Sequence, residues 1–533
     1  MSIGWDGAID WDAPVDYAAA SGVGLYRLEV DWNGDGDYSD TGEDVTARVV
    51  RITTTAGAPR SLGRTGRNIA GSLTATLNNA SGDYSPLNTS SPLTGNIIPG
   101  RSVKLSCYYP VDETLWTGTL ETIIPSVGPQ GQRLSTLRAI GPMRALDTSL
   151  RVAMKTSITT GAAVTEILDQ VGFSASDRAI DTGQTTMTRW WQDETIGWAA
   201  AREVEATEHG LLREKADGSI AFEDRHHRLT SPQTVSQATY SDDPSDPLSY
   251  IGIEMEDALS LIFNEFRASI RGYSTASAAV LFTHPEANTS GDALKIPVGE
   301  TLTFEVRFPN PDSSTNAVGV NAWTTPTLGA GADIEVWSAN NGTGTNLSTS
   351  NIGISVTKFG NQMRVVLTNN HASLDGFMTV CQARGTPVSV SDPTSVFAVD
   401  SASQTKYGLR VLPEDEWAKW IPTSTEAQGW AYWMAAVFGE PVPMVRITAT
   451  PNASKAHFTS LMAHDISDRI TVKASTTKTQ LGINEDFFIE SISHTINPGR
   501  YHEVHLQCAQ AAQWSDAFTW GATKWGSSAR WSW

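Results

Sequence analysis

The chain has 533 residues, which at about 100–200 residues per domain means roughly three to five domains. It carries 38 Lys+Arg against 58 Asp+Glu, a net charge of −20, and only 18% charged residues. That balance argues against a nucleic-acid binder, which needs a basic surface to displace phosphate counterions, and against a charged helical bundle. The 18 Trp, 12 Tyr and 15 Phe supply several cores and exclude wholesale disorder.

Residues 1–21 are irregular, with Trp5 and Trp11 among acids. A strand is predicted at Leu25–Asp31, where apolar and polar residues alternate, and another at Val45–Ile52. Segments 71–77, 102–108, 115–124 and 133–139 continue the series between Gly, Pro and Asn turns, so 22–147 reads as an all-β sandwich or barrel. Helices follow. One is predicted over 162–171, with Val164, Ile167, Leu168 and Val171 on one face and Gly172 as its stop. A second opens at Asp193-Glu194 and stops at Gly210, and a hairpin joins Leu211–Lys215 to Ser219–Asp224. Residues 148–274 are thus a mixed α/β module. Residues 275–390 are β-rich and polar, as expected of an inserted β-sandwich. A helical stretch over 401–440 carries Trp417, Trp420, Trp430 and Trp433, read as core or subunit interface. A short helix at 454–463 and strands at 487–492, 494–496 and 503–507 close the fold.

Cys107, Cys381 and Cys508 form no CxxC pair and cannot make a disulfide framework, so they are expected to be buried free thiols. The opening Met1–Asp6 lacks a signal-peptide pattern and no apolar run approaches about 20 residues. The expectation is a soluble chain made in the cytoplasm, with no membrane span, unless it leaves inside a larger particle. The sharpest local motif is Asp31-Trp32-Asn33-Gly34-Asp35-Gly36-Asp37, which opens like a calcium loop. Asp31, Asn33, Asp35 and Asp37 are its candidate ligands, but position 12 is Gly42 and Glu43 comes one residue late. Two readings stay open, a calcium site that stiffens a loop and a solvated Asp/Gly turn between strands. Glu223-Asp224-Arg225-His226-His227-Arg228 concentrates acids, bases and imidazoles, and reads as an exposed strand end because a single strand supplies no convergent third partner. No G-x-S-x-G, H-E-x-x-H, Walker or Rossmann motif is present, which points away from an enzyme and from any other cofactor. Trp514, Trp520, Trp525, Trp531 and Trp533, in a Gly/Ser background, are candidates for docking in an assembly or for stacking on sugars.

Several segments occur together in an order that resembles tail-tip (baseplate) hub proteins of long-tailed bacteriophages and prophages. They are the strand leading into Asp-Trp-Asn-Gly-Asp-Gly-Asp, Asp44-Val45-Thr46, Gly71–Asn79, Gly82–Asn88, Ser91-Pro92-Leu93, Ile98–Val103 and Leu115–Gly118. Phe222–Arg225, Phe359-Gly360 with Thr368–Asn370, and Asp486–His494 follow. The resemblance spans most of 22–515. It implies a mainly β, β-rich α+β fold of several domains: a first tube-like β-barrel at 22–147, the α/β module, the inserted sandwich, and a helical segment plus second tube-like barrel at 391–515. The extension 1–21 and the Trp-rich tail 516–533 fall outside it.

The same resemblance implies a structural, non-enzymatic homotrimer at the virion tail tip. Three copies would make a ring of six barrels that adapts the sixfold tail tube to a threefold tip. Its partners would be the tail tube and distal-tail proteins, the tape-measure protein, and a central fibre or receptor-binding proteins. DNA would pass through without specific binding, repelled if the acids line the lumen. A six-membered distal-tail ring and a carbohydrate-binding host-recognition protein of the virion are the alternatives.

Overall fold

The computed structural model describes residues 25–57, 68–109, 111–129, 131–256, 259–284, 293–309, 316–412, 419–441, 443–498, 501–511, 517–518 and 530–531. The chain is mainly β and multi-domain, as its composition and alternating segments imply.

The first unit is a run of six antiparallel strands: β1 (Leu25–Val30), β2 (Val49–Gly57), β3 (Ile69–Asn78), β4 (Ser102–Tyr109), β5 (Glu113–Val127) and β6 (Arg133–Ile140). They pair in the order β1-β4-β5-β6-β3-β2. The alternation read in the sequence sets their faces: β3 buries Leu73, Ala75 and Leu77 and turns Ser72, Thr74 and Thr76 outward. The strand predicted over 45–52 is shifted. Residues Thr46–Arg48 form a 3-10 turn and the strand begins at Val49. The segment before it is used elsewhere: Val30 N–H donates to Glu43 O and Val45 N–H to Leu28 O, so this loop covers the outer edge of β1.

The α/β module contains β7 (Ser149–Thr159), α1 (Thr160–Gln170), β8 (Arg178–Ile180), β9 (Thr186–Ile196), α2 (Gly197–Glu208), β10 (Leu211–Glu214) and β11 (Ile220–Glu223). Thr159 caps α1 by accepting from Ala162 N–H, and Gly172, at φ +73°, ends it. The second helix starts four residues later than Asp193, because β9 runs on to Ile196 and Asp193 is held by the sandwich described below. Strands β12 (Ala238–Ser241), β13 (Leu248–Ser249) and β14 (Gly252–Glu256) follow. They lie in the large sheet with β27 (Met444–Ala449), β28 (Arg469–Ala474), β29 (Ile483–Asn497) and β30 (Tyr501–Gln510).

The two groups of strands are one sheet. β2 pairs antiparallel with β29, Thr53 opposite Thr495 and Thr55 opposite Ser493, giving 13 strands in continuous hydrogen-bonded contact. Neither half closes into a barrel among the described residues. One core serves both halves, running from Leu28, Leu73 and Leu105 through Tyr240 to Val445, Phe487 and Leu506. Helix α5 (Lys455–Ala463), capped by Ser454, sets Phe458 and Leu461 into that core.

The remaining strands build two further units. β16 (Tyr273–Thr275), β17 (Ala279–His284), β18 (Leu294–Ile296), β20 (Ala317–Trp323) and β21 (Ile334–Trp337) all pair with the long β24 (Gly376–Val390). This sheet shares a core with β19 (Thr301–Arg307), β23 (Gln362–Asn369) and β22 (Ile352–Lys358), where Ile296, Val336, Val365 and Cys381 are buried. The second unit is a three-stranded sheet of β25 (Thr394–Val399), β15 (Glu265–Ile270) and β26 (Val411–Leu412), packed on α4 (Ser424–Phe438). The stretch 401–440 is therefore two helices, α3 (Ser401–Tyr407) and α4, separated by β26.

Candidate functional site

The Asp/Gly loop after β1 is a ladder of Asx turns. Asp31 Oδ1 and Oδ2 accept from Gly34 N–H at 2.5 Å and Gly36 N–H at 3.1 Å, and Asp37 Oδ1 accepts from Ser39 N–H at 2.8 Å. Asn33 Nδ2 donates to Asp35 and Asp40. The hydrogen bonds from Ser39 hold the Asp37 carboxyl below its ordinary range. These oxygens turn toward the loop's own amides, and no three His, Cys, Asp or Glu side chains converge on a metal position among the described residues.

Trp420, Trp430 and Trp433 are buried in cores, and Trp430 stacks on His209 at 3.9 Å. Trp417, Trp514, Trp520, Trp525 and Trp533 lie outside the described residues. Of Trp531 only the backbone is described, in a short parallel pairing of 530–531 with 517–518. Cys107, Cys381 and Cys508 are buried free thiols, and burial pushes Cys107 up to about 11 and Cys381 to about 12.

The segment 223–228 is the largest departure from the sequence reading. Instead of an exposed strand end, Glu223, Arg225 and Arg228 are 3%, 4% and 8% exposed and lie in a buried ionic network. Arg213 Nε donates to Glu223 at 2.5 Å, and its Nη1 to Asp465 at 2.8 Å. Ser467 Oγ donates to the other oxygen of Glu223 and accepts from Arg228 Nε at 3.1 Å. Arg228 then grips Glu490 with both terminal nitrogens at 2.7 and 3.1 Å, its guanidinium over the Phe488 ring. Arg225 pairs with Glu208 at 2.9 Å, and Glu208 also accepts from Thr160 Oγ1 and Thr185 N–H.

The hairpin of β10 and β11 therefore touches both half-sheets. Arg213 and Glu223 reach the second half through Asp465 and Ser467. On the other side Glu214 reaches the first half, accepting from Gly71 N–H and Met143 N–H, each at 2.7 Å. Burial pushes the Glu214 carboxyl up to about 7 against the pull of those two amides. A Cβ added at Gly141 would lie 2.1 Å from this carboxylate, so glycine is required for its approach. Under the hairpin is a cavity of about 50 Å³ lined by Thr54, Trp116, Glu214, His464, Asp465 and His494.

A second buried chain crosses the same junction. Tyr26 of β1 bonds His502 Nδ1 of β30 at 2.5 Å, and His502 Nε2 lies 3.0 Å from His494 Nδ1 of β29. Burial pushes His494 down to about 4 and His502 well below the usual imidazole range, so both rings are neutral. Ser460, His464 and Asp468 line up as a hydroxyl, imidazole and carboxylate, with His464 Nδ1 3.2 Å from Asp468. Ser460 Oγ is 3.5 Å from His464 Nε2, and the buried Tyr240 hydroxyl lies 3.1 Å from both, so it competes for the nitrogen a nucleophile would need. The junction is built to hold elements together, and its polar groups are spent on one another.

No protein-family model matches the chain, and no curated protein sequence matches it. Among solved structures it is similar to the 43 kDa tail protein of prophage MuSo2 from Shewanella oneidensis, at 13% identity and TM-score 0.45, covering 92% of this chain and 99% of that one. It is also similar to a tail protein from Neisseria meningitidis MC58, at 9% identity and TM-score 0.46, covering 92% and 98%. The prophage tail protein gp18 from Listeria monocytogenes EGD-e gives 9% identity and TM-score 0.37, covering 90% and 94%. Likeness of this degree does not carry a function from those proteins to this chain.

Proposed function

We propose that the chain is a structural subunit of a bacteriophage tail, and within the tail a hub of the tip. The observation that supports this most is the joining of two half-sheets. One comes from residues 25–140 and the other from 238–256 together with 444–510, and they form a continuous sheet over one core. The α/β module and the sandwich leave the chain between those segments. A subunit that presents two half-sheets side by side occupies two positions of a sixfold ring, so three copies meet a sixfold tube. The ordered motifs from Asp31 to His494 resemble the same family.

In this reading the homotrimer continues the tail tube and lets DNA and the tape-measure protein pass at infection. The distal-tail ring lies above it and a central fibre or receptor-binding proteins beyond. The role is non-enzymatic and takes place in the virion, after assembly in the host cytoplasm. No described helix is long and apolar enough to cross a membrane. Native mass spectrometry of the purified chain tests the assignment. A trimer supports the hub; a hexamer moves the protein to the distal-tail ring; a monomer that binds host polysaccharide replaces both with the carbohydrate-binding reading.

A further inference from the structure

The sheet has an outer side opposite its core, and that side is unlike the rest of the chain. Across the seam of the two half-sheets the register sets Thr74, Thr53 and Thr495 in one row, and Ser72, Thr55 and Ser493 in the next. All six are hydroxyl residues and none is buried, while their strand neighbours Ile52, Leu73, Ile492 and His494 face the core. Thr55 Oγ1 and Ser72 Oγ lie 2.8 Å apart, so the hydroxyls also satisfy one another. Along β2, β3 and β6 the outward positions include Arg51 and Arg138 and no carboxylate, in a chain with 20 more acids than bases. Beyond β29 the first carboxylate is Glu503 on β30, opposite Thr495 and 3.5 Å from the imidazole of His505. This face is also hollow: a cleft of about 360 Å³ lies over the seam, walled by Thr55, Ser493, Arg446 and Gln507 and, on its apolar side, by Ile69 and Ala56.

We propose that these hydroxyl rows are the channel wall of the assembled ring, and that the wall is uncharged at its centre instead of acidic. The proposal rests on the ring reading above and replaces the expectation that the acids line the lumen. A basic wall would retain a polyanion through counterion release, and an acidic wall would oppose its entry. Short hydroxyls do neither: they keep a wet surface, carry no long flexible charge, and offer only exchangeable hydrogen bonds. The polymer this wall suits is DNA, since the two rows hold no apolar or aromatic side chain of the kind an extended polypeptide uses as a grip.

Cysteine labelling of the full chain tests this, because Cys107, Cys381 and Cys508 are buried and give a low background. Thr55→Cys and Ser493→Cys are compared with Ser395→Cys, an exposed position on β25 away from the seam. Each is treated with a small maleimide and with a bulky maleimide–polyethylene glycol, as separated subunits and as the assembled ring. The expected result is that assembly leaves the small reagent fast at the seam but slows the bulky one by an order of magnitude or more relative to Ser395→Cys. Loss of both reactions on assembly makes the seam a subunit contact and overturns the proposal. Equal reaction with both reagents puts it on the outside of a ring that still exists, which overturns the proposal and spares the ring. If the unsubstituted chain forms no ring, the ring reading fails and the wall with it. Urea denaturation of each cysteine variant beside the unsubstituted chain separates a folding defect from a change of access.

Discussion

Glu214 and His494 face the same small cavity with opposite pH behaviour. Glu214 is raised from 4.5 to about 7, so the folded chain holds its proton more tightly than the unfolded one. Its contribution is full below 4.5 and is lost as pH rises through 7, about 3 kcal/mol in all. His494 is depressed from 6.5 to about 4, so its contribution is full above 6.5 and lost as pH falls toward 4, again about 3 kcal/mol. Hydrogen exchange of the β2, β3 and β29 amides between pH 4.5 and 7.5 reads both. Glu214→Gln is expected to remove the loosening that appears as pH rises toward 7. His494→Gln is expected to remove the loosening that appears below 6. Neither role was legible in the sequence, since Glu214 is one acid among 58 and its pairing with Gly71 crosses most of the first half-sheet. The 223–228 cluster did stand out by composition. Its partners Asp465, Ser467 and Glu490 lie more than two hundred residues away, so its burial was invisible to local spacing.

At the scale of elements, the buried pair Arg228–Glu490 clamps the turn after β11 onto β29. Glu490→Gln removes the carboxylate that grips the buried guanidinium through both terminal nitrogens, which is expected to cost about 3–5 kcal/mol. Replacing both residues with Met is expected to cost less, because no buried charge is then left alone. Urea denaturation of the two variants, followed by tryptophan fluorescence, checks the order. The sandwich is held on the α/β module by a close backbone approach: Gly360 N–H donates to Val152 O at 3.2 Å, and a Cβ there would lie 2.7 Å from Trp191. Arg151 adds an ion pair across to Glu305 at 2.5 Å, and Arg307 of the sandwich pairs back with Glu194 at 3.5 Å. Gly360→Ala is therefore expected to release the sandwich without unfolding it, seen as a larger radius in small-angle scattering and earlier proteolysis between the two units. An unchanged radius would mean that the ion pairs suffice. Elements with strong local signals were readable: the alternation of β3, the stripe and stop of α1, and the Ser454-capped α5. The start of α2 was not, because Asp193 resembles a helix cap and is instead engaged by Asn361 and Gln362 from the sandwich.

For the whole molecule, the β class followed from composition and period-two patterning, which are local properties. That β2 pairs with β29, β12 with β28 and β14 with β27 depends on contacts across the full sequence. Such pairing leaves no mark in any one window. Net charge is likewise a sum over the chain, and the outward side of β2 and β3, which holds no carboxylate, departs from it. The central claim is the tip hub, and symmetry at the tip is its most direct consequence. Image averaging of intact tails, with a small tag inserted in this chain, measures the number and place of copies. The account predicts three tags around the axis at the tip, below the last sixfold ring of the tube. Six tags at that level, or tags elsewhere on the particle, would contradict it.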